Sequence, residues 1–106
     1  MVTQKQIQEI TNIIVDTVHP QKIYLFGSYA KGNAAETSDI DFLIVMPDRT
    51  KKKYQVVEEI EKKTRNLLPV PKDMVVDYLD KYNRFCSIPY SFIGHIVSTG
   101  ILLYES

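Results

Sequence analysis

Residues 39 to 46, DIDFLIVM, constrain the chain more than any other stretch. After Asp41 every position is apolar, where a strand with one wet face would alternate, and Pro47 closes the run. Such a pattern predicts a strand covered on both faces, near the centre of a sheet. The flanking sequence supplies candidates for its neighbours and its cover. From Thr3 to Val18 the residues Ile7, Ile10, Ile14 and Val18 recur at steps of three and four, which predicts a helix with one buried stripe, capped by Thr3 and ended before Pro20. Lys22 to Phe26 reads as a short strand broken by Gly27, and Ser28 to Lys31 as a single helical turn closed by Gly32 and Asn33. A small-residue loop, NAAETS, leads into the central run.

A second long helix is expected from about Thr50 to Leu68, with Val57, Ile60, Thr64, Leu67 and Leu68 inward and the lysines 51 to 53 on a solvated surface near its start. The stiff connector PVP then leads to a third strand, Asp73 to Leu79. A helix from Pro89 to Ser98, with Phe92, Ile93, Ile96 and Val97 apolar, and a last strand, ILLY at 101 to 104, complete the order. The expected fold class is α/β in the α+β sense: a mixed sheet packed against helices, as one domain over residues 1–106.

Composition narrows the functional classes. With 44% hydrophobic and 25% charged residues the chain is an ordinary globular one, and 13 basic against 13 acidic residues give no global field toward nucleic acid or anionic lipid. Direct nucleic-acid binding is not indicated, no apolar run reaches the length of a membrane span, and the single Cys86 excludes an internal disulfide. A cytoplasmic location is expected.

The central run carries an anomaly at its mouth. Asp39 and Asp41 are two apart, and side chains alternate along a strand, so both carboxylates leave one face about 6 to 7 Å apart at the backbone. Two like charges beside a buried strand are costly unless something positive lies between them. Mg²⁺ suits the pair, since it binds through one or two carboxylates and completes its shell with water and phosphate oxygens. Two such ions, held about 3.5 to 4 Å apart, are the arrangement that serves phosphoryl and nucleotidyl transfer, and it calls for a third carboxylate. Asp73, at the start of the third strand, would lie beside the pair if that strand is a neighbour; Asp77 lies on the same face further along. Gly27 lets backbone approach an anion closely, Ser28 opens a helix whose N–H groups are free, and Lys31 is one turn on, so these three can cradle phosphates.

These residues resemble a known family. Gly27-Ser28, ten residues, then Asp39-x-Asp41 and an apolar strand are similar to the signature of the polymerase-beta-like nucleotidyltransferases. The chain most resembles their minimal nucleotidyltransferase branch, through IYLFGSYAKG, SDIDFLIV, DMVVDYLDKY and the tail IVSTGILLYE. The resemblance implies a nucleotidyltransferase fold, with Asp39 and Asp41 as metal ligands and Asp73 as the third carboxylate that helps deprotonate the acceptor. It implies that Gly27 and Ser28 hold the triphosphate of ATP. It also implies a partner, because members of the branch are commonly antitoxins of small all-helical HEPN ribonucleases, and some transfer AMP to a tyrosine of that toxin. Position 29 departs from the pattern, being Tyr where the branch frequently has Arg.

The expected function is therefore Mg²⁺-dependent nucleotidyl transfer, AMP to a hydroxyl of a HEPN-type toxin. The alternatives are an antitoxin that acts by binding and occlusion, and transfer to a small molecule of aminoglycoside type, for which a chain of this length leaves little room for an acceptor pocket. His19, His95 and Cys86 lack partners at catalytic or metal spacing and read as structural or rim residues. Tyr82, Phe85, Tyr90 and Phe92 crowd the last third of the chain, as core or as a partner surface.

Overall fold

A computed structural model of the chain describes all 106 residues. Four strands, β1 (Lys22–Phe26), β2 (Ile40–Met46), β3 (Lys72–Tyr78) and β4 (Ile101–Glu105), form one sheet in the order β3-β2-β1-β4. β1 runs antiparallel to both β2 and β4, while β2 and β3 are parallel, so the sheet is mixed. The all-apolar run is thus interior to the sheet, and Ile40 and Phe42 through Met46 are buried.

Alternation along β2 builds two cores. Ile40, Phe42, Ile44 and Met46 pack on Ile7, Ile10 and Ile14 of α1 (Gln4–Val18) and on Val56 and Ile60 of α3 (Lys53–Thr64). Leu43 and Val45 face the other way, toward Tyr24 of β1, Tyr82 of α4 (Leu79–Phe85) and Ile93 and Ile96 of α5 (Phe92–Thr99). Each fully buried aliphatic side chain of this kind contributes about 1.5 to 3 kcal/mol by leaving water. α3 also makes the crossover that a parallel β2–β3 pair requires. The remaining helix, α2 (Ser28–Lys31), is a single turn at the end of β1.

α1 has the helix ends that its sequence predicts. Thr3 Oγ1 accepts from Gln6 N at 3.1 Å, and Gln6 Oε1 accepts from Thr3 N at 2.9 Å, a reciprocal cap that satisfies two otherwise free donors. At the other end His19 turns into the left-handed region (φ 51), its N–H returning to Val15 O, and Pro20 follows.

Three expectations are corrected. α3 begins at Lys53, not Thr50, because the Asp48 carboxylate accepts from Thr50 N at 2.9 Å and holds residues 48 to 50 in a turn. The helix also stops at Thr64, so Leu67 is 48% exposed, and Val56 takes the fully buried position while Val57 is only half-buried. Residues 79 to 85, of which the sequence pattern assigns only Leu79, as the end of the third strand, form α4. Its inward residues Leu79, Tyr82, Phe85 and Cys86 recur at helical spacing, a signal present in the sequence but short. The lysine run behaves as surface: Lys51 pairs with Glu59 at 3.0 Å, and Lys53 reaches Asp77 at 3.5 Å. No helix is long and apolar enough to cross a membrane.

Candidate active site

Register builds the site. Asp41 is the second residue of β2 and Asp73 the second of β3, and the parallel ladder pairs them directly. The antiparallel β1–β2 ladder places Phe26 opposite the same Asp41. Asp73, Asp41 and Phe26 therefore form one row across three strands, on the face covered by α4 and α5, with successive strands about 4.8 Å apart. Asp39 stands two residues upstream of Asp41 and is exposed, as is Asp73.

Gly27 closes the row from above. Its backbone has φ 72 and ψ −152, a conformation that side-chain-bearing residues rarely adopt. A Cβ there would stand 3.2 Å from Asp41 Cγ and overlap one carboxylate oxygen. Only glycine lets the β1–α2 turn lie directly against this carboxylate. Ser28 follows, half-buried, and Lys31 N donates to Gly27 O at 3.1 Å to close the turn. The Lys31 side chain is exposed and takes part in no ion pair.

The electrostatics of the row are unbalanced. Burial first, then the negative charges of Asp73 and Asp39, push the Asp41 carboxyl above the ordinary carboxylate range. None of the ion pairs of the chain involves Asp39, Asp41 or Asp73. Asp77 is the opposite case. It is 4% exposed, lies between Lys53 (3.5 Å) and Lys81 (3.2 Å), and pairs in register with Val45. Four residues along β3 set it about 13 Å from Asp73. The fold thus gathers Asp41 and Asp73, with Asp39 beside them, and leaves Asp77 apart, already neutralised.

This donor set suits a hard cation. As the side chains stand, no three acidic residues converge to enclose a metal by themselves. Mg²⁺ does not need such a cage, because water and phosphate oxygens fill most of its octahedron. Carboxylates without an ion-pair partner match that requirement.

A family model described as a nucleotidyltransferase domain matches residues 7–96. The chain belongs to this nucleotidyltransferase family. Solved structures share its fold. A protein from Sulfolobus solfataricus described as a nucleotidyltransferase aligns with TM-score 0.63 and 20% identity over 95% of this chain and 78% of the other. A toxin–antitoxin complex crystallised with AMP-PNP aligns with TM-score 0.61 and 20% identity, over 99% and 75%. A mutant MntA–HpeT toxin–antitoxin complex aligns with TM-score 0.57 and 19% identity, over 92% and 71%. No curated protein matches. The mixed sheet with helices on both faces is the nucleotidyltransferase fold.

Position 29 takes a structural role in this nucleotidyltransferase domain. The Tyr29 hydroxyl accepts from Val2 N at 3.1 Å and its ring packs on the α1–α3 core, so it braces the start of α1 against α2. His19 and His95 are exposed, and the Cys86 thiol faces the Asn83 carbonyl at 3.8 Å. The aromatic group of the last third divides. Tyr82 is buried with its hydroxyl 2.7 Å from that of Tyr24, and Phe85 is half-buried, while Tyr90 is 93% and Phe92 55% exposed. Phe26 is the site residue that sequence reasoning missed. Its signal was its place immediately before Gly27, at the end of a strand due to pair with Asp41.

Proposed function

We propose that this domain transfers AMP from ATP to a hydroxyl of a partner protein and thereby acts as the antitoxin of a helical, HEPN-type toxin. The observation that carries the proposal is the direct pairing of Asp41 with Asp73, beneath a backbone turn that only Gly27 can make. The fold shared with toxin–antitoxin complexes, one of them crystallised with AMP-PNP, supports the choice of nucleotide and partner.

Asp39, Asp41 and Asp73 would hold Mg²⁺, which when bound neutralises charge on the phosphates and on the attacking and leaving oxygens. Gly27 admits the triphosphate to the turn, Ser28 offers its hydroxyl and backbone N–H, and Lys31 lies within reach on the exposed side. Asp73, solvent-exposed on the outer strand, would take the proton of an incoming hydroxyl, and its exposure supports that role. The acceptor oxygen then bonds to the α-phosphorus as the α–β phosphoanhydride bond breaks and pyrophosphate leaves.

Intact-mass analysis of the protein encoded beside this one, incubated with ATP, Mg²⁺ and the domain, tests the reading. The expected result is the mass of one or more AMP groups on that partner, lost when Asp39→Ala and Asp41→Ala are combined. No added mass with the wild type would sink it. A second reading, neutralisation by binding alone, is favoured by the exposed Tyr90 and Phe92. It predicts that the double Asp variant still protects cells from the partner.

A further inference from the structure

The row of Asp73, Asp41 and Phe26 does not end at β1. Phe92, the first residue of α5, stands edge-on against Phe26 with ring centroids 5.8 Å apart and an interplanar angle of 87°. Phe92 also borders a cavity of about 180 Å³, lined with Lys81, Phe85, Ser91 and Ile93. Phe92 thus links the cavity to Phe26, the residue that leads into the Gly27 turn, beneath the helices that cover the carboxylate-bearing face of the sheet. The cavity is too small for a nucleotide, since ligand pockets that enclose whole drug-sized molecules run from about 300 Å³ upward. It is large enough for one flat ring system.

Its chemistry selects such a ring. The rings of Phe85 and Phe92 and the Ile93 side chain make the walls. Ser91 has no donor left to offer: its hydroxyl lies 2.7 Å from Ile88 O and 3.1 Å from Phe85 O as donor, and accepts from Gly94 N at 2.9 Å. Lys81 is the one lining residue with free donors, held near the rim by its pair with the buried Asp77 carboxylate at 3.2 Å. A ligand here is gripped by stacking and by one cation, with no fixed pattern of donors and acceptors. Phe92 is 55% exposed although it is a large apolar residue, so burial in the core does not explain its position.

We infer that this cavity is the subsite for the nucleobase of the nucleotide, with Phe92 as the stacking residue and Lys81 at its edge; the inference rests on the nucleotidyl-transfer reading given above. The triphosphate in the Gly27–Ser28 turn would direct the base along β1 toward α5, because Asp73 and the acceptor take the opposite end of the row. Aromatic stacking tolerates any base, so this subsite is a grip on the ring rather than a reader of its identity.

Calorimetric titration in Mg²⁺ with two probes, ATP and inorganic tripolyphosphate, tests this. The wild type is expected to bind ATP on the order of tenfold more tightly than tripolyphosphate, the gain that one stacked base supplies. Phe92→Ala should erase that ratio and leave tripolyphosphate binding unchanged, which also shows that the turn is intact. Phe92→Tyr, which keeps the ring, should restore it. A ratio unaffected by Phe92→Ala overturns the inference, and so does a Phe92→Ala variant that binds ATP normally but no longer modifies its partner, which would assign the cavity to the acceptor. Failure of the wild type to bind either probe would overturn the parent reading and this one with it, whereas equal binding of both probes would overturn this one alone.

Discussion

At the scale of single residues the site is a tension between two demands on Asp41. As the second residue of an interior strand it is half-buried, and as part of an acidic group it faces two more carboxylates without a cation of the protein's own. Both effects raise its pKa, so the folded chain holds this proton more tightly than the unfolded chain does. By linkage, stability then falls as pH rises from 3.8, the unfolded value, through the higher folded value, and the ionised group costs stability at neutral pH. Asp41→Asn, measured without divalent cations at pH 7, should raise the Tm by about 2 to 4 °C, about 0.5 kcal/mol after discounting for solvent screening. The gain should vanish well below pH 3.8, where the wild-type carboxyl is neutral too. A variant no more stable than wild type at pH 7 would show that the like charges cost the fold nothing. Gly27 answers the same crowding from the backbone side, since any side chain at φ 72 would collide with Asp41.

At the scale of elements, two aspartates on one face of β3 have separate duties. Asp73 is exposed near the start of the strand and Asp77 is buried near its end, between lysines from α3 and α4. Asp77 also accepts from Tyr78 N at 3.2 Å, at the junction where β3 becomes α4. Asp77→Ala should therefore lower stability by about 1 to 2 kcal/mol, since a buried acceptor and two partly exposed ion pairs are lost together. Asp73→Ala should change stability by less than about 0.5 kcal/mol and abolish transfer. Chemical denaturation beside the mass-based transfer assay separates the two. If Asp77→Ala eliminated transfer at unchanged stability, the roles assigned to these residues would be reversed. The sequence offered both as the third carboxylate, because alternation puts positions 73 and 77 on one face; it did not tell which strand residue faces Asp41. The same limit applies to α4, whose two turns of apolar spacing compete with the strand pattern that runs into them.

At the scale of the molecule, β1 and β2 are the two interior strands, and β2 is the more deeply buried, its side chains from Phe42 to Val45 fully covered by the helical layers on both faces. Opening it requires unfolding both cores. β4, by contrast, is an edge strand with Ile101 and Leu102 exposed, and its pairing with β1 shifts register between Ile23 and Tyr24. Hydrogen exchange should accordingly be slowest at the amides of residues 42 to 45 and fast in the loops 33 to 39 and 47 to 52, with β4 between them. Exchange at β2 as fast as at β4 would mean that the sheet opens from its centre, contrary to this packing. The loop 33 to 39 joins the Gly27 turn to Asp39 and carries no buried residue, so its opening would leave both cores intact.

Local patterns determined much of this protein before any folding was considered. The apolar run after Asp41 specified an interior strand, the spacing of Ile7, Ile10, Ile14 and Val18 specified α1, and Gly27-Ser28 with Asp39 and Asp41 marked the candidate site. These signals are legible because strand alternation, helical period and the special backbone of glycine act over a few residues. The tertiary structure alone decided strand order and register. It set Asp73 beside Asp41, tied Asp77 to two lysines, turned Tyr29 into a brace for α1, and brought Phe92, more than fifty residues on, against Phe26. Those pairings depend on contacts between segments far apart in the chain, and no local preference of backbone or side chain encodes which distant residue will arrive.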